Sequence, residues 1–247
     1  MNDTEVKPVV LALVRHVRQM ERDLVAGLTV AERAATGTAE HHLLAPKHML
    51  SHLTAAKRRQ AERLAALGGG EPPPPDHHTP EQVFEAHKDD TWPQVEAEAD
   101  EVVATLTARV AALDERDLSD PDRFAWAAGE ALVAPVLSNA VWHPYGHIVD
   151  FYRAHGDQAR VAALHEALTR EMGALDEWPA LRTHALSRYN LACLSALGGE
   201  TARALNLIGK ALQLDPGLME NAREDHDLDP LRGDPTFAAM LASGTAS

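Results

Sequence analysis

The sequence predicts an all-α protein, in the form of an antiparallel four-helix bundle followed by a small helical tail. The first observation is compositional: 45% of the 247 residues are hydrophobic but only 4% are aromatic. The apolar residues are mostly Ala, Leu and Val, which favour amphipathic helices. The second is that apolar residues recur at three- and four-residue steps along four long segments. We expect the bundle to span residues 1–156 and the tail 157–247.

The first two predicted helices follow from their apolar stripes and their breakers. Helix one runs from about Val9 to Leu28, and helix two begins with Pro46 in its first turn and ends before the glycines at 68–70. The stripe of helix one consists of Val10, Leu13, Val14, Val17, Met20, Leu24 and Leu28, and that of helix two of Met49, Leu53, Ala56, Leu64 and Leu67. The prolines at 72–75 cannot continue a helix, so this segment is predicted as a loop inside the bundle.

Helices three and four complete the predicted bundle. Helix three has apolar residues at close to heptad spacing, and helix four covers about Ala131 to Arg153, with the bundle closing near Gly156. The two stripes are Val95, Ala99, Val102, Leu106, Val110 and Leu113, and Val133, Leu137, Ala140, Val141, Ile148 and Phe151. Pro144 removes a helical donor and is therefore expected to free the carbonyl of Ala140 and to bend helix four.

The tail resembles a tetratricopeptide (TPR) repeat. A 34-residue unit counted from Ala185 to Leu218 places small, large apolar and breaker residues where such a repeat has them: Leu191, Ala192, Gly199, Ala204, Ile208, Ala211 and Pro216. One repeat cannot bury its own apolar face, so the unit is expected to pack on a helix around Val161–Leu175 and on the bundle. Cys193 is predicted to be a buried structural thiol.

Charge and motif content exclude several classes of function. The 37 acidic and 23 basic residues give a formal charge of -14, which disfavours nucleic acid and anionic membranes as partners. A single cysteine forms no intramolecular disulfide, and the N-terminal residues do not have the layout of a secretory signal. No apolar run approaches the roughly 20 residues of a membrane span, so the expected compartment is the cytoplasm. No glycine-rich phosphate loop, CxxC pattern or GxSxG elbow occurs.

Histidines carry the candidate chemistry. His143 and His147 lie four residues apart on helix four, which places both rings on one helix face. Helix two offers His48 and His52, and His52 lies nearer the apolar stripe, so it is the better third member. Three inward histidines would leave a coordination position open for water or a thiolate. A spacing of four also arises by chance, and the imidazoles could instead act directly as a general base and orienting groups.

Other residues around helix four are predicted to shape a pocket beside these histidines. Trp142 and Tyr145 would form its walls, with Asn139 and His48 as further ligand-binding side chains. A purely structural aromatic cluster is the alternative. Five other histidines of the bundle are expected in loops or loop edges, without a role: His41, His42, His77, His78 and His87.

At three places the chain resembles the DinB/YfiT-like four-helix superfamily. The segment HLLAPKHMLSHLTAAKRRQ, residues 42–60, is similar to the second helix of these proteins, and WHPYGH, residues 142–147, to the HxxxH pair of their last helix. Together with residues 81–113, the segment SNAVWHPYGHI looks closest to the ClbS/DfsB branch. The resemblance covers about residues 5–155 and implies that His52, His143 and His147 are metal ligands.

What the resemblance implies about activity is divided. Many DinB-like proteins bind Zn²⁺, Ni²⁺ or Fe²⁺ and include thiol-dependent transferases and isomerases, whereas ClbS is a self-protection hydrolase without an evident metal requirement. We therefore expect a hydrolase that acts on a reactive, electrophilic small molecule, with either a divalent metal or no cofactor. A metal- and thiol-dependent transferase is one alternative. A non-catalytic module that sequesters a ligand, or that binds a protein partner or a second copy through the tail, is another.

Overall fold

All regular structure in the described part of the chain is helical, which confirms the predicted all-α class. The structure is a computed structural model that describes residues 5–37, 45–67, 79–124, 131–172 and 185–243. Its helices are α1 (Val6–Gly27), α2 (Val30–Ala34), α3 (Pro46–Ala66), α4 (Pro80–His87), α5 (Trp92–Ala112), α6 (Glu115–Ser119), α7 (Val133–Leu137), α8 (His143–Ala154), α9 (Gln158–Met172), α10 (Ala185–Leu197), α11 (Thr201–Leu214), α12 (Leu218–Glu224) and α13 (Pro235–Ser243).

Some sequence predictions fall outside these ranges. They concern the glycines at 68–70, the prolines at 72–75, and the four histidines His41, His42, His77 and His78. Among the described residues, no helix combines the length and the apolar character that crossing a membrane requires.

Four long segments surround the core that positions the candidate site. Helix α1 packs against α5 and against the run from α7 to α8, and α3 packs against the same two neighbours. Helices α1 and α3 are therefore diagonal to each other. The apolar stripes face inward, as the buried residues Val10, Leu13, Val17, Leu53, Val95, Leu106, Val110, Leu137 and Ile148 show.

Helices α3 and α5 run in the same direction, which corrects the expectation of antiparallel neighbours for this pair. The Lys47 ammonium donates to the carbonyl of Asp90 at 2.6 Å near the start of both helices, and Arg58 pairs with Glu98 further along. The residue numbers of α3 and α5 thus increase in the same direction along their contact. The reason is the long connection between the helices, which includes α4 and returns the chain to the starting end, as only short loops force antiparallel neighbours.

The connecting helix α4 was not predicted, although the sequence carries its start signal. The Thr79 hydroxyl accepts from the backbone N–H of Gln82, whose side-chain oxygen accepts from the Thr79 N–H at 2.9 Å. This reciprocal capping satisfies two donors that a helix start otherwise leaves open, and Pro80 suits the first helical turn. Helix α5 begins in the same way, with Gln94 accepting from the N–H of Thr91 at 2.8 Å.

A π-turn lies directly before Pro144, where the sequence predicts a bend. Residues Ser138–Trp142 form a π-helical turn between α7 and α8, directly before the His143–Pro144 pair. A proline has no N–H for the carbonyl four residues earlier, here that of Ala140, so the regular α pattern is interrupted at this point. A π-turn holds one residue more than an α-turn and rotates the side chains that follow by about 100°.

The C-terminal helices pack on this arrangement through α9. Helix α9 contacts α1, α8 and α10, and α10 pairs closely with α11. A 3₁₀ helix, His226–Leu231, then lies against α10, and α13 buries Phe237. Cys193 on α10 is buried.

A charged pair lies in the centre of the four long segments. Lys57 on α3 and Glu21 on α1 are 1% and 2% exposed and form an ion pair across the diagonal. Arg18 also contacts Glu21, at 3.1 Å, and reaches Asp100 on α5 at 2.7 Å. Burial lowers the pKa of Lys57, while the Glu21 carboxylate opposes that shift. Each charge is therefore compatible with the interior only while its partner is present.

We predict that Lys57→Met lowers the free energy of unfolding by about 3 kcal/mol, because Glu21 then remains buried with reduced compensation. Urea denaturation followed by circular dichroism measures the change. The double variant Lys57→Met/Glu21→Met should recover a large part of the loss. The exposed Lys88→Met serves as control and should leave the transition unchanged. Equal unfolding midpoints for Lys57→Met and wild type would contradict a central role for the pair.

Candidate metal centre

Three histidine side chains from two helices converge on one point. His52 comes from α3, and His143 and His147 come from the first turns of α8. The Nε2 atom of His143 lies 3.0 Å from Nε2 of His52 and 3.1 Å from Nε2 of His147. One ligand atom of each ring falls within 4.8 Å of the others. We refer to these three side chains as the histidine trio.

His143, the central ring of the histidine trio, is uncharged at neutral pH. Burial has the largest effect on the pKa of His143, followed by the neighbouring rings of His147 and His52, and these effects, together with smaller ones of Lys57 and Arg59, lower that pKa to about 3. A neutral imidazole keeps a lone pair available as a ligand, whereas a pKa this far below neutrality makes a weak general base. These properties favour metal ligation over direct base catalysis by His143.

The donor set of the trio fits a divalent transition metal. Zn²⁺ and similar ions accept imidazole nitrogens, and three protein ligands are typical of sites that also bind a reacting molecule. The trio contains no carboxylate, so it offers little to the harder ions Ca²⁺ and Mg²⁺.

Two other groups of potential ligands are already engaged within the protein. His87 Nδ1 lies 2.8 Å from Asp90, and Glu98, the third member of that group, pairs with Arg58. In the second group Cys193 lies with Asp225 and Asp227. Asp225 accepts from Tyr189 at 2.9 Å and Asp227 pairs with Arg153, and burial, together with both carboxylates, raises the pKa of the Cys193 thiol. The histidine trio is therefore the strongest candidate.

Two predicted pocket residues lie apart from the histidine trio. The ring of His48 is buried and packs edge-on against Phe84 of α4, with the centroids 4.9 Å apart. Asn139 joins the π-turn to α3 instead: its amide donates to the Gln60 side chain at 3.3 Å and to the carbonyl of Pro135 at 2.9 Å. Neither residue lines the cavity that adjoins the trio.

The two predicted aromatic walls have different surroundings. Trp142 lines the cavity beside His143 and His147. Tyr145 is buried and its hydroxyl contacts Nδ1 of His165 on α9, so it ties α8 to α9 and faces a neighbouring cavity. Burial raises the pKa of Tyr145 and lowers that of His165 to about 4, with a further contribution from Arg153 in the case of His165.

A cavity of about 310 Å³ lies beside the histidine trio and is lined by two of its members, His143 and His147. Its lining consists of Ser138, Trp142, His143, Gly146, His147, Asp150, Leu186 and Asn190. Five of these residues were not predicted. For Ser138, Gly146 and Asp150 a signal existed, because they continue the spacing of four residues set by Trp142. The sequence contained no signal for Leu186 and Asn190, because their position beside the cavity depends on how α10 packs relative to α8.

Comparison with models of known protein families, with curated protein sequences and with solved structures finds no match to this chain. The interpretation of the site therefore rests on its own geometry and on the sequence motifs.

We predict that stability decreases as the pH falls from 7 towards 4, in part through His165. Its pKa is lower in the folded protein, about 4, than in the unfolded chain, about 6.5. The stabilising contribution is thus complete above pH 6.5 and is lost as the pH falls towards 4. His165→Leu should reduce this loss by on the order of 2 kcal/mol in urea denaturation at a series of pH values. The exposed His226→Leu is the matched control. Parallel pH profiles for His165→Leu and wild type would contradict the assignment.

Proposed function

We propose that this chain is a DinB/YfiT-like metal-dependent hydrolase that acts on a reactive, electrophilic small molecule. In this proposal residues 1–156 form a four-helix bundle of that superfamily, and residues 157–247 form a TPR-like unit attached to it. The observation that carries the proposal is the meeting of three imidazole nitrogens beside an open cavity. The motifs that resemble the superfamily include all three of these histidines.

The packing around the trio supports a site that is formed before any ligand arrives. His52 and His143 are supplied by two helices that also meet through Gln60 and Asn139. The buried pair of Lys57 and Glu21 ties α3 to α1 in the same region. Side chains held by several such contacts keep their geometry, which is what a metal site requires of its ligands.

In the proposed reaction His52, His143 and His147 hold a divalent ion such as Zn²⁺, Ni²⁺ or Fe²⁺. Such an ion supplies Lewis acidity and makes water nucleophilic at neutral pH. Hydrolysis joins the water oxygen to the electrophilic carbon, breaks the bond from that carbon to its leaving atom, and gives the leaving atom a proton. We assign Asp150, which lines the same cavity, to take up the proton that water loses and to return it to the leaving atom.

We predict that protein purified without a histidine tag contains about one divalent transition metal per chain. Elemental analysis and titration of the metal-free protein with Zn²⁺ measure the content and the affinity. His143→Ala should weaken Zn²⁺ binding by at least about 100-fold, since even the loss of a supporting contact to a ligand weakens binding 10- to 100-fold. His155→Ala, which changes a histidine after α8 outside the trio, is the control. Unchanged Zn²⁺ affinity in His143→Ala would overturn the metal site.

We also predict that the metal-loaded protein accelerates hydrolysis of an electrophilic probe, either styrene oxide or p-nitrophenyl acetate. His143→Ala should reduce the rate to that of buffer. Asp150→Asn should retain its metal and lose at least about 100-fold in rate, within the usual range for a general base. Each assay is run with and without glutathione. Consumption only with glutathione, giving a thioether, would replace the hydrolase by a thiol transferase. Equal rates for wild type and His143→Ala would contradict catalysis at this site.

A further inference from the structure

A row of residues along the π-turn and α8 forms one wall of a cleft. Ser138, Trp142, Gly146 and Asp150 follow each other at intervals of four residues and all line the cavity beside the histidine trio. Residues spaced by four lie one above the other on a helix surface. The wall therefore extends along the helix axis for about three turns, well beyond the two histidines of α8.

Helix α10 supplies the opposite wall. Leu186 and Asn190, again four residues apart, line the same cavity from the C-terminal part of the chain. The Leu186 side chain is 40% exposed, so it presents apolar surface towards the cavity. Asn190 is half-buried, and its amide makes no hydrogen bond to any residue in the part of the chain that the structure describes. A ligand in the cavity could therefore contact the Leu186 side chain and form a hydrogen bond with the Asn190 amide.

The cleft continues past the trio into a second cavity. This second cavity has a volume of about 260 Å³, compared with about 310 Å³ for the first. Trp142, Gly146, Asp150 and Asn190 line both. The residues that line only the second cavity include apolar and charged side chains: Tyr145, Val149, Arg153, Cys193, Leu194, Asp225 and Asp227. The two cavities are therefore parts of one elongated space that runs between α8 and α10.

Gly146 lies where the two cavities join. Glycine lowers the stability of a helix interior relative to alanine. Close packing does not account for it here, because a Cβ atom built at Gly146 would meet no other atom within 4 Å. A larger side chain at this position would instead project into the shared part of the cleft. The glycine thus keeps the passage open at the expense of helix stability.

We infer that the cleft binds an elongated substrate whose reactive end lies at the histidine trio and whose apolar body passes Leu186 and Gly146 between α8 and α10. The far end of such a substrate is polar, because Arg153, Asp225 and Asp227 line the second cavity. Asn190 is a substrate-positioning residue that hydrogen-bonds a polar group of this body, and Leu186 contacts its apolar part. The inference rests on the proposed metal site. It gives the C-terminal helices a direct part in substrate specificity, since the cleft has only one wall without them.

Two hydroxamates of different length test this inference on the full-length protein loaded with Co²⁺. Acetohydroxamate and octanohydroxamate share the metal-binding group and differ only in the alkyl chain. Titrations followed by the visible absorption of Co²⁺ give their affinities. We expect octanohydroxamate to bind wild type at least about tenfold more tightly, because each buried methylene adds to the affinity. Gly146→Leu should remove most of this difference. Asn190→Ala should keep it, because the alkyl chain has no polar group that the Asn190 amide could hydrogen-bond.

Gly27→Leu is the matched control, because this glycine at the end of α1 also has open space around it and lies outside the cleft. It should keep the wild-type ratio of affinities. Failure to take up Co²⁺ would overturn the metal site and the cleft together. Stoichiometric Co²⁺ with equal affinities for the two hydroxamates would overturn the cleft alone. A wild-type ratio in Gly146→Leu, with circular dichroism showing a folded protein, would do the same. The comparison within wild type requires no variant to fold.

Discussion

The architecture around the candidate centre is governed by the close approach of three imidazole rings. The Nε2 atoms of His52 and His147 lie 3.0 and 3.1 Å from that of His143. The three rings cannot all be in the charged, doubly protonated form, because like charges at that separation in a partly buried site repel strongly. Neutral rings that carry their proton on Nδ1 leave the Nε2 lone pairs directed towards a small region. A single cation satisfies all of them, so the geometry that disfavours protons is also the geometry that favours a metal.

This convergence depends on contacts that lie well away from the rings. Helix α3 has to meet the run from α7 to α8 in a fixed register, and the hydrogen bond between Gln60 and Asn139 repeats that register about two turns from His52. The buried pair of Lys57 and Glu21 holds α3 against α1 across the diagonal. A buried charge accepts few alternative positions, so such a pair restricts how the helices slide past each other.

Much of the helical framework was accessible from the sequence, because amphipathic spacing reports which face of a helix is buried. The same reasoning preferred His52 to His48, and the structure places His52 with His143 and His147 while His48 packs on Phe84. The parallel orientation of α3 and α5 was not predicted, because an apolar stripe shows which face of a helix is buried but not in which direction the helix runs relative to its neighbour. The wall formed by α10 was also missed, because contacts between distant segments leave no local pattern.

The π-turn at Ser138–Trp142 has a consequence for how this protein can vary. The one additional residue in this turn determines the direction in which every later side chain of the helix points. Deletion of one amino acid from this turn would hardly change the composition or the charge of the protein, and it would restore a more regular α-helix. It would also swing both histidines of α8 away from α3. Insertions and deletions here therefore have a far larger effect on the centre than most exchanges of one side chain for another.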